Sequence, residues 1–375
     1  MPLPTSQVNI PPGVIDLGAG DPAFSLLPLD LLHKAADACF ARNDPAFLQY
    51  GAEQGSGDFR VTLADFLTAG YEFPVDAGHL FVTNGISNAL DLLCTLFTHP
   101  GDTIFVEEPS YFLALRIFAD HGLKVVSIDT DENGLVVESL NAMLRVHKPK
   151  FLYVIPTHQN PSGQTLTEER RARLVELSRE HDFLILADEV YHFLSYDGRP
   201  PKALAAWTED PHVLSLGSFS KTLAPGLRLG WVEAHPAIIK RLTGCGLLDS
   251  GGGLNPFTSA IVREVIESGG LAQNISHLKD IYSQRRRVMD AALREQLPEL
   301  IWKVPQGGYF FWVRLPHGLD AAELQQKAME NRVMFRPGER FSSRNGLNDF
   351  IRLSFVFYEP DEIDEGIMRL KRCLE

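Results

Sequence analysis

The chain has 375 residues, 45% of them hydrophobic and 22% charged, with a formal net charge of −13. That length exceeds what one hydrophobic core usually serves, so two lobes are expected. The acidic balance disfavours a nucleic-acid or anionic-membrane surface, and an anionic ligand would need a local cationic pocket. Cys39, Cys94, Cys245 and Cys373 form no Cys-x-x-Cys pair. This argues against a structural metal site or a disulfide framework and fits a reducing cytoplasm. The start of the chain lacks a signal peptide's basic and apolar segments, and no apolar run is long enough to span a bilayer.

In chain order, Gly18, Gly20 and Pro22 punctuate a turn, and Leu31, Leu32, Ala35, Ala38 and Cys39 predict a helix over 30–41. A second helix is expected from about Gly57, after Tyr50. A strand over 79–83 and a helix over 88–97 enclose the turn Asn84-Gly85-Ile86-Ser87. A helix N-terminus leaves N–H groups unpaired and carries partial positive charge, so this turn suits a phosphate, held by Gly85, Ile86 and Ser87. The strand 103–107 runs into Glu108-Pro109-Ser110-Tyr111, and the strand 151–155 into a turn holding Asn160-Pro161-Ser162-Gly163. Thr167 reads as the N-cap of the next helix. The apolar run 183–187 ends in Asp188, and an acid there is costly to bury without a partner.

A β-rich alternation over 212–216 places Lys221 just beyond a strand's C-terminal end. Ligands bind at that edge of open α/β sheets, and a lysine held there with little water has a lowered pKa. Ser218, Ser220 and Arg228 add hydroxyl donors and a guanidinium fork suited to a phosphate. Residues 244–256 read as a flexible loop, followed by helices over about 258–296. The C-terminal part reads as strands over 307–315, 333–338 and 350–355, with helices over 321–331 and 360–373, an α+β lobe.

The run Ser218-x-Ser220-Lys221-x-Leu223-Ala224-Pro225-Gly226-Leu227-Arg228-Leu229-Gly230-Trp231 resembles the cofactor-lysine segment of the fold-type I pyridoxal-phosphate enzymes, specifically the class I/II aminotransferases. The glycine turn, Pro-x-Tyr, Asn-Pro-x-Gly, Asp-Glu-x-Tyr and Arg-Leu-Ser motifs stand in family order over nearly the whole chain. The resemblance implies an α/β protein with the type I fold: a large lobe with a mostly parallel, helix-covered sheet, and a smaller α+β lobe. The large cofactor-binding domain is expected over 44–276, and the small domain over 1–43 and 277–375.

By the same resemblance Lys221 carries pyridoxal 5'-phosphate as a Schiff base, and Ser218, Ser220 and Arg228 hold the phosphate. Tyr111 stacks on the ring, Asn160 and Tyr191 reach its 3′ oxygen, and Asp188 keeps the pyridine nitrogen charged. Gly20 lets substrate approach the backbone, while Arg352, with Asn160 beside it, forks onto the α-carboxylate. Tyr50 reaches the phosphate of a neighbouring subunit, which implies a homodimer. The expected reaction moves an amino group from an L-amino acid to a 2-oxo acid by a ping-pong mechanism. Lyase, decarboxylase or racemase chemistry on the same scaffold is the alternative, and a non-catalytic effector-sensing module is another.

Some dicarboxylate-specific relatives carry an arginine in the region between Arg241 and Arg263, where this chain has no lysine or arginine. Residues 23–29, Tyr111 and residues 251–253 suggest an apolar or mixed side-chain pocket, compatible with aromatic, branched-chain or 2-aminoadipate-like donors.

Overall fold

The computed structural model describes residues 6–375. Eight strands form the main sheet, in the spatial order Leu80–Thr83, Gly230–Ala234, Val213–Ser218, Leu184–Asp188, Phe151–Val154, Thr103–Glu108, Lys124–Asp131 and Gly134–Leu135. The central strands from Val213–Ser218 to Lys124–Asp131 are parallel, whereas Gly230–Ala234 runs antiparallel to both of its neighbours.

Side chains alternate along these strands and divide between two cores. Ile104, Val106, Phe151, Tyr153, Leu186, Leu214 and Leu216 join one core with Leu90, Leu93 and Phe118 of the helices Ile86–Phe97 and Phe112–Asp120. Phe105, Leu152, Val154, Ile185, Ala187 and Val213 join the other with Leu174 and Leu177 of the helix Glu168–His181. Because both faces are covered, the strands read as apolar runs and not as apolar-polar alternation.

A four-stranded antiparallel sheet follows, ordered Ile301–Trp302, Phe310–Arg314, Phe350–Ser354 and Arg336–Pro337. The N-terminal strand Ile15–Asp16 pairs in parallel with Val333–Met334 as a separate ribbon. The single strand expected over 333–338 is thus two short ones, in different sheets, with Phe335 turning between them.

Residues 244–256 do not form a flexible loop throughout. A short helix spans Gly246–Gly251, because Leu248 is buried and the Cys245 carbonyl accepts from the N–H groups of Leu248 and Asp249. The domain boundary expected at 276/277 falls inside the continuous helix Gly270–Gln296. Among the described residues no helix is long and apolar enough to cross a membrane.

Candidate active site

Topology gathers the expected residues at one sheet edge. Ser218 pairs with Gly230, and Gly230 with Thr83, so the C-terminal ends of Leu80–Thr83 and Val213–Ser218 meet the start of the antiparallel strand. Asp188 lies one strand further on, opposite Leu216. The segments that follow these ends carry Gly85, Tyr111, Asn160, Tyr191, Lys221 and, just before Gly230, Arg228.

Lys221 sits in a turn held by two backbone bonds, from Phe219 N–H to Leu229 O (3.2 Å) and from Leu223 N–H to Phe219 O (2.8 Å). Its Nζ donates to the Gly20 carbonyl at 2.8 Å, and the Tyr309 hydroxyl donates to the Lys221 carbonyl at 3.1 Å. Burial lowers the ammonium's pKa, while Asp21 and Asp188 act against that change. A lysine so placed gives up its proton more readily than a surface one.

Asp188 is buried and accepts from the Tyr153 hydroxyl at 2.8 Å and the Val190 N–H at 3.2 Å. No lysine, arginine or histidine lies in ion-pair range of it among the described residues. Burial pushes its pKa up from 3.8 to about 7. A buried carboxylate without a protein cation is costly, and a cationic group on a ligand would offset that cost. Behind it, Glu107 accepts from Ile155 N–H at 2.9 Å, and burial pushes its carboxyl up to about 8.

The anion site stands beside this carboxylate. Helix Ile86–Phe97 begins two residues earlier than the sequence suggested, so Ile86 and Ser87 lie in its first turn, and no side chain caps its N-terminus. Gly85 has φ of 85°, a left-handed conformation, and a Cβ there would sit 3.0 Å from Arg228 Nη2. Arg228 donates to the carbonyls of Asn84 (3.3 Å) and Pro225 (3.2 Å). The Ser218 hydroxyl donates to Ser220 Oγ at 2.9 Å and accepts from Ser220 N–H at 3.1 Å. Unpaired N–H groups, a guanidinium and two hydroxyls therefore converge without a neutralising carboxylate, as a phosphate requires.

Arg352 lies on Phe350–Ser354, with its guanidinium 3.9 Å from the Phe310 ring centroid. Nη1 donates to Asn160 Oδ1 at 2.9 Å and Nη2 to the Gly18 carbonyl at 2.8 Å, while Nε has no partner. Burial pulls its pKa down to about 10. Its acceptors are neutral, so no carboxylate is hydrogen-bonded to the guanidinium among the described residues.

Tyr111 occupies the N-cap position of Phe112–Asp120 without a side-chain capping bond, and burial with the Asp188 charge pushes its hydroxyl to about 12. The Tyr191 ring lies 5.4 Å from that of Tyr309 and 6.2 Å from that of Phe310, between Lys221 and Arg352. Gly20 lies against both residues, since a Cβ on it would meet Phe310 at 3.2 Å and Arg352 Nη2 at 3.6 Å. Tyr50 is not brought to this cluster within one chain and is 78% exposed.

Tyr153, Tyr309 and the carbonyls of Gly18 and Gly20 were not singled out from the sequence. Tyr153 had one available signal, a hydroxyl inside the apolar run 151–155.

An aromatic, phosphorylated group with a cationic ring nitrogen and a carbonyl that an amine can attack fits this donor set. The parallel sheet and this edge site together define a class: a fold-type I pyridoxal-phosphate enzyme.

A family model for class I and II aminotransferases matches residues 12–370. The chain is 36% identical over 370 residues to aromatic-amino-acid aminotransferase 1 of Thermococcus litoralis, covering 96% of this chain and 88% of that one. It is similar to the solved multiple substrate aminotransferase of Thermococcus profundus, with a TM-score of 0.91, 34% identity, and 96% and 91% of the two chains covered. It is also similar to an α-aminoadipate aminotransferase of Thermus thermophilus solved with a phosphopyridoxyl-leucine adduct, with a TM-score of 0.87, 30% identity, and 97% and 92% covered. The chain belongs to the class I and II aminotransferase family, and it is a pyridoxal-phosphate-dependent aminotransferase.

Proposed function

We propose that Lys221 Nζ is the covalent attachment point for pyridoxal phosphate and, once displaced by the substrate amine, the base that carries the α proton. The observation that carries this reading is the meeting of a half-buried lysine and a buried carboxylate without a cation at one sheet edge with a buried guanidinium without a carboxylate. Bound pyridoxal phosphate supplies an electron-withdrawing ring that makes loss of the α proton cheaper. Asp188 holds the ring nitrogen in its cationic form, Tyr111 packs on the ring, and Asn160 and Tyr191 reach its 3′ oxygen. Gly85, Ile86, Ser87, Ser218, Ser220 and Arg228 hold the phosphate. Arg352 fixes the substrate's α-carboxylate by two parallel hydrogen bonds, which orients the α C–H toward Lys221.

The assignments extend to a homodimer, with Tyr50 of each copy serving the phosphate of the other. Support comes from an exposed apolar patch beside Tyr50. Phe40, Phe47 and Phe257 cluster with centroids 5.6 to 6.3 Å apart, and Leu48 is 63% exposed. Residues 1–43 and 277–375 act as the smaller lobe that closes over the substrate. Four free, buried cysteines fit a cytoplasmic setting.

The donors are L-amino acids with aromatic or long mixed side chains, in keeping with the mostly apolar segment 23–29 and with the substrates named for the relatives. The test is product analysis with a panel of amino acids and 2-oxoglutarate. A 2-oxo acid matched one for one by glutamate supports transfer, whereas release of ammonia, sulfide or carbon dioxide would replace it with lyase or decarboxylase chemistry.

A further inference from the structure

Arg336 lies directly opposite Arg352 in the antiparallel pairing of Arg336–Pro337 with Phe350–Ser354. Residues directly opposite project from the same sheet face, and like charges there repel. The described structure resolves the conflict through Asp16. Its two carboxylate oxygens each accept from Arg336, Oδ1 from Nη1 and Oδ2 from Nη2, at 3.1 Å. Asp16 is buried, its Oδ1 also accepts from Gly18 N–H at 2.9 Å, and its own N–H donates to the Tyr358 hydroxyl at 2.7 Å.

The same short segment reaches both charged groups of the site. Gly18 O accepts from Arg352, and Gly20 O accepts from Lys221. Gly18 packs so closely on Arg336 that a Cβ would lie 2.7 Å from Nη1. Asp16 thus lies two residues along the chain from Gly18, whose carbonyl Arg352 holds, and Arg336 occupies both of its oxygens.

We propose that Arg336 is a positioning residue that captures the Asp16 carboxylate and so keeps the Arg352 guanidinium free for a substrate carboxylate. Without Arg336 the buried Asp16 carboxylate has no cationic partner, and Arg352 is the cation across the strand pair. An internal ion pair would then compete with the substrate for the same fork. Without Asp16, in contrast, a second positive charge faces the carboxylate site. The two single substitutions therefore have opposite effects on carboxylate binding, whereas a purely structural clamp would be weakened by either. This inference rests on the assignment of Arg352 to the substrate carboxylate.

The test uses the holoenzyme and 3-phenylpropanoate, a carboxylate without an amino group to react, with dissociation constants from calorimetry and unfolding midpoints as a control. Arg336→Met should weaken binding by roughly tenfold or more, the scale on which outer hydrogen-bond partners tune a site. Asp16→Asn should bind as tightly as wild type or tighter, and the double variant Asp16→Asn, Arg336→Met should regain the lost affinity. Should Arg336→Met fail to fold, the double variant and Asp16→Asn still decide the matter. Weakened binding in both would overturn the inference, as would unchanged binding in a folded Arg336→Met. Arg352→Lys separates the two levels. If it weakens binding while Arg336→Met does not, only the inference fails. If wild type and Arg352→Lys bind alike, or neither binds, the carboxylate fork itself fails.

Discussion

Replacing Asp188 with asparagine should make the cofactor-free protein more stable at alkaline pH while weakening its hold on pyridoxal phosphate. Burial raises the carboxyl from 3.8 to about 7, a change of about three units at 1.36 kcal/mol each. At pH 8 the ionised group thus opposes folding of the cofactor-free chain by up to roughly 4 kcal/mol. The sign follows from a folded-state pKa that lies above the unfolded one. The stability associated with the protonated form is complete below about pH 4 and is lost as pH rises through about 7. Asparagine can still accept from Tyr153 and Val190 but carries no charge. Glu233, which burial also raises to about 8, is common to both proteins and cancels in the difference. Glu107 is raised to about 8 by burial and in part by the Asp188 charge, so removing that charge shifts the difference further in the same direction.

Urea unfolding of the cofactor-free proteins, in steps from pH 4 to 8, measures that difference. Asp188→Asn should match wild type near pH 4 and exceed it progressively above pH 5. Its affinity for pyridoxal phosphate should fall by more than about tenfold, or about 1.4 kcal/mol. Parallel stability curves for the two proteins would refute the reasoning, because Asp188 would then not be a buried carboxylate awaiting a cation.

Four further outcomes are expected. Lys221→Ala should lower the transamination rate by at least roughly 10²- to 10⁴-fold, the size of a proton-transfer role alone, in single-turnover assays; near-normal turnover would remove Lys221 from the chemistry. Arg352→Lys should raise the KM for every amino acid tested much more than it lowers kcat, since an ammonium cannot form the paired bonds of a guanidinium; an unchanged KM would exclude that role. Gly85→Ala forces a residue with a Cβ into φ of 85° against Arg228, a strain of about 1–3 kcal/mol. Fluorescence titration should show weaker cofactor binding, and wild-type affinity would mean that the turn does not hold the phosphate. Tyr50→Phe should loosen the cofactor without disturbing the far-UV spectrum, and in mixed dimers with a Lys221→Ala partner the one site that keeps Lys221, supplied with the partner copy's intact Tyr50, should regain wild-type cofactor affinity; a site that stays weak there would mean that Tyr50 serves its own subunit.

The part of the candidate site that was legible from residues alone lies at the ends of apolar strands. Asp188 stands out because a charge ending a buried run demands a partner, and Lys221 because it follows a β-rich run, whereas Arg352, inside its strand, was reached only through the family resemblance. The parallel strands themselves read as apolar runs bounded by turns. What stayed hidden carries no such contrast. Gly18 and Gly20 act through carbonyls, which every residue possesses. Tyr309 acts by lying under Lys221, a relation between residues 88 apart in the chain. The helix Gly246–Gly251 is masked by its glycines, although Leu248 gives it a buried anchor. The ribbon pairing Ile15–Asp16 with Val333–Met334 is too short to show a period. The strand Lys124–Asp131 was missed because its ends are partly exposed and break the apolar run.

The most direct measurement is the visible spectrum of the purified protein, followed by borohydride reduction and peptide mass mapping. A yellow absorbance that borohydride abolishes, leaving a pyridoxyl group on the peptide containing Lys221, is the expected result. A protein that stays colourless with added pyridoxal phosphate, or a label on another lysine, would contradict the assignment of Lys221 and the chemistry built on it.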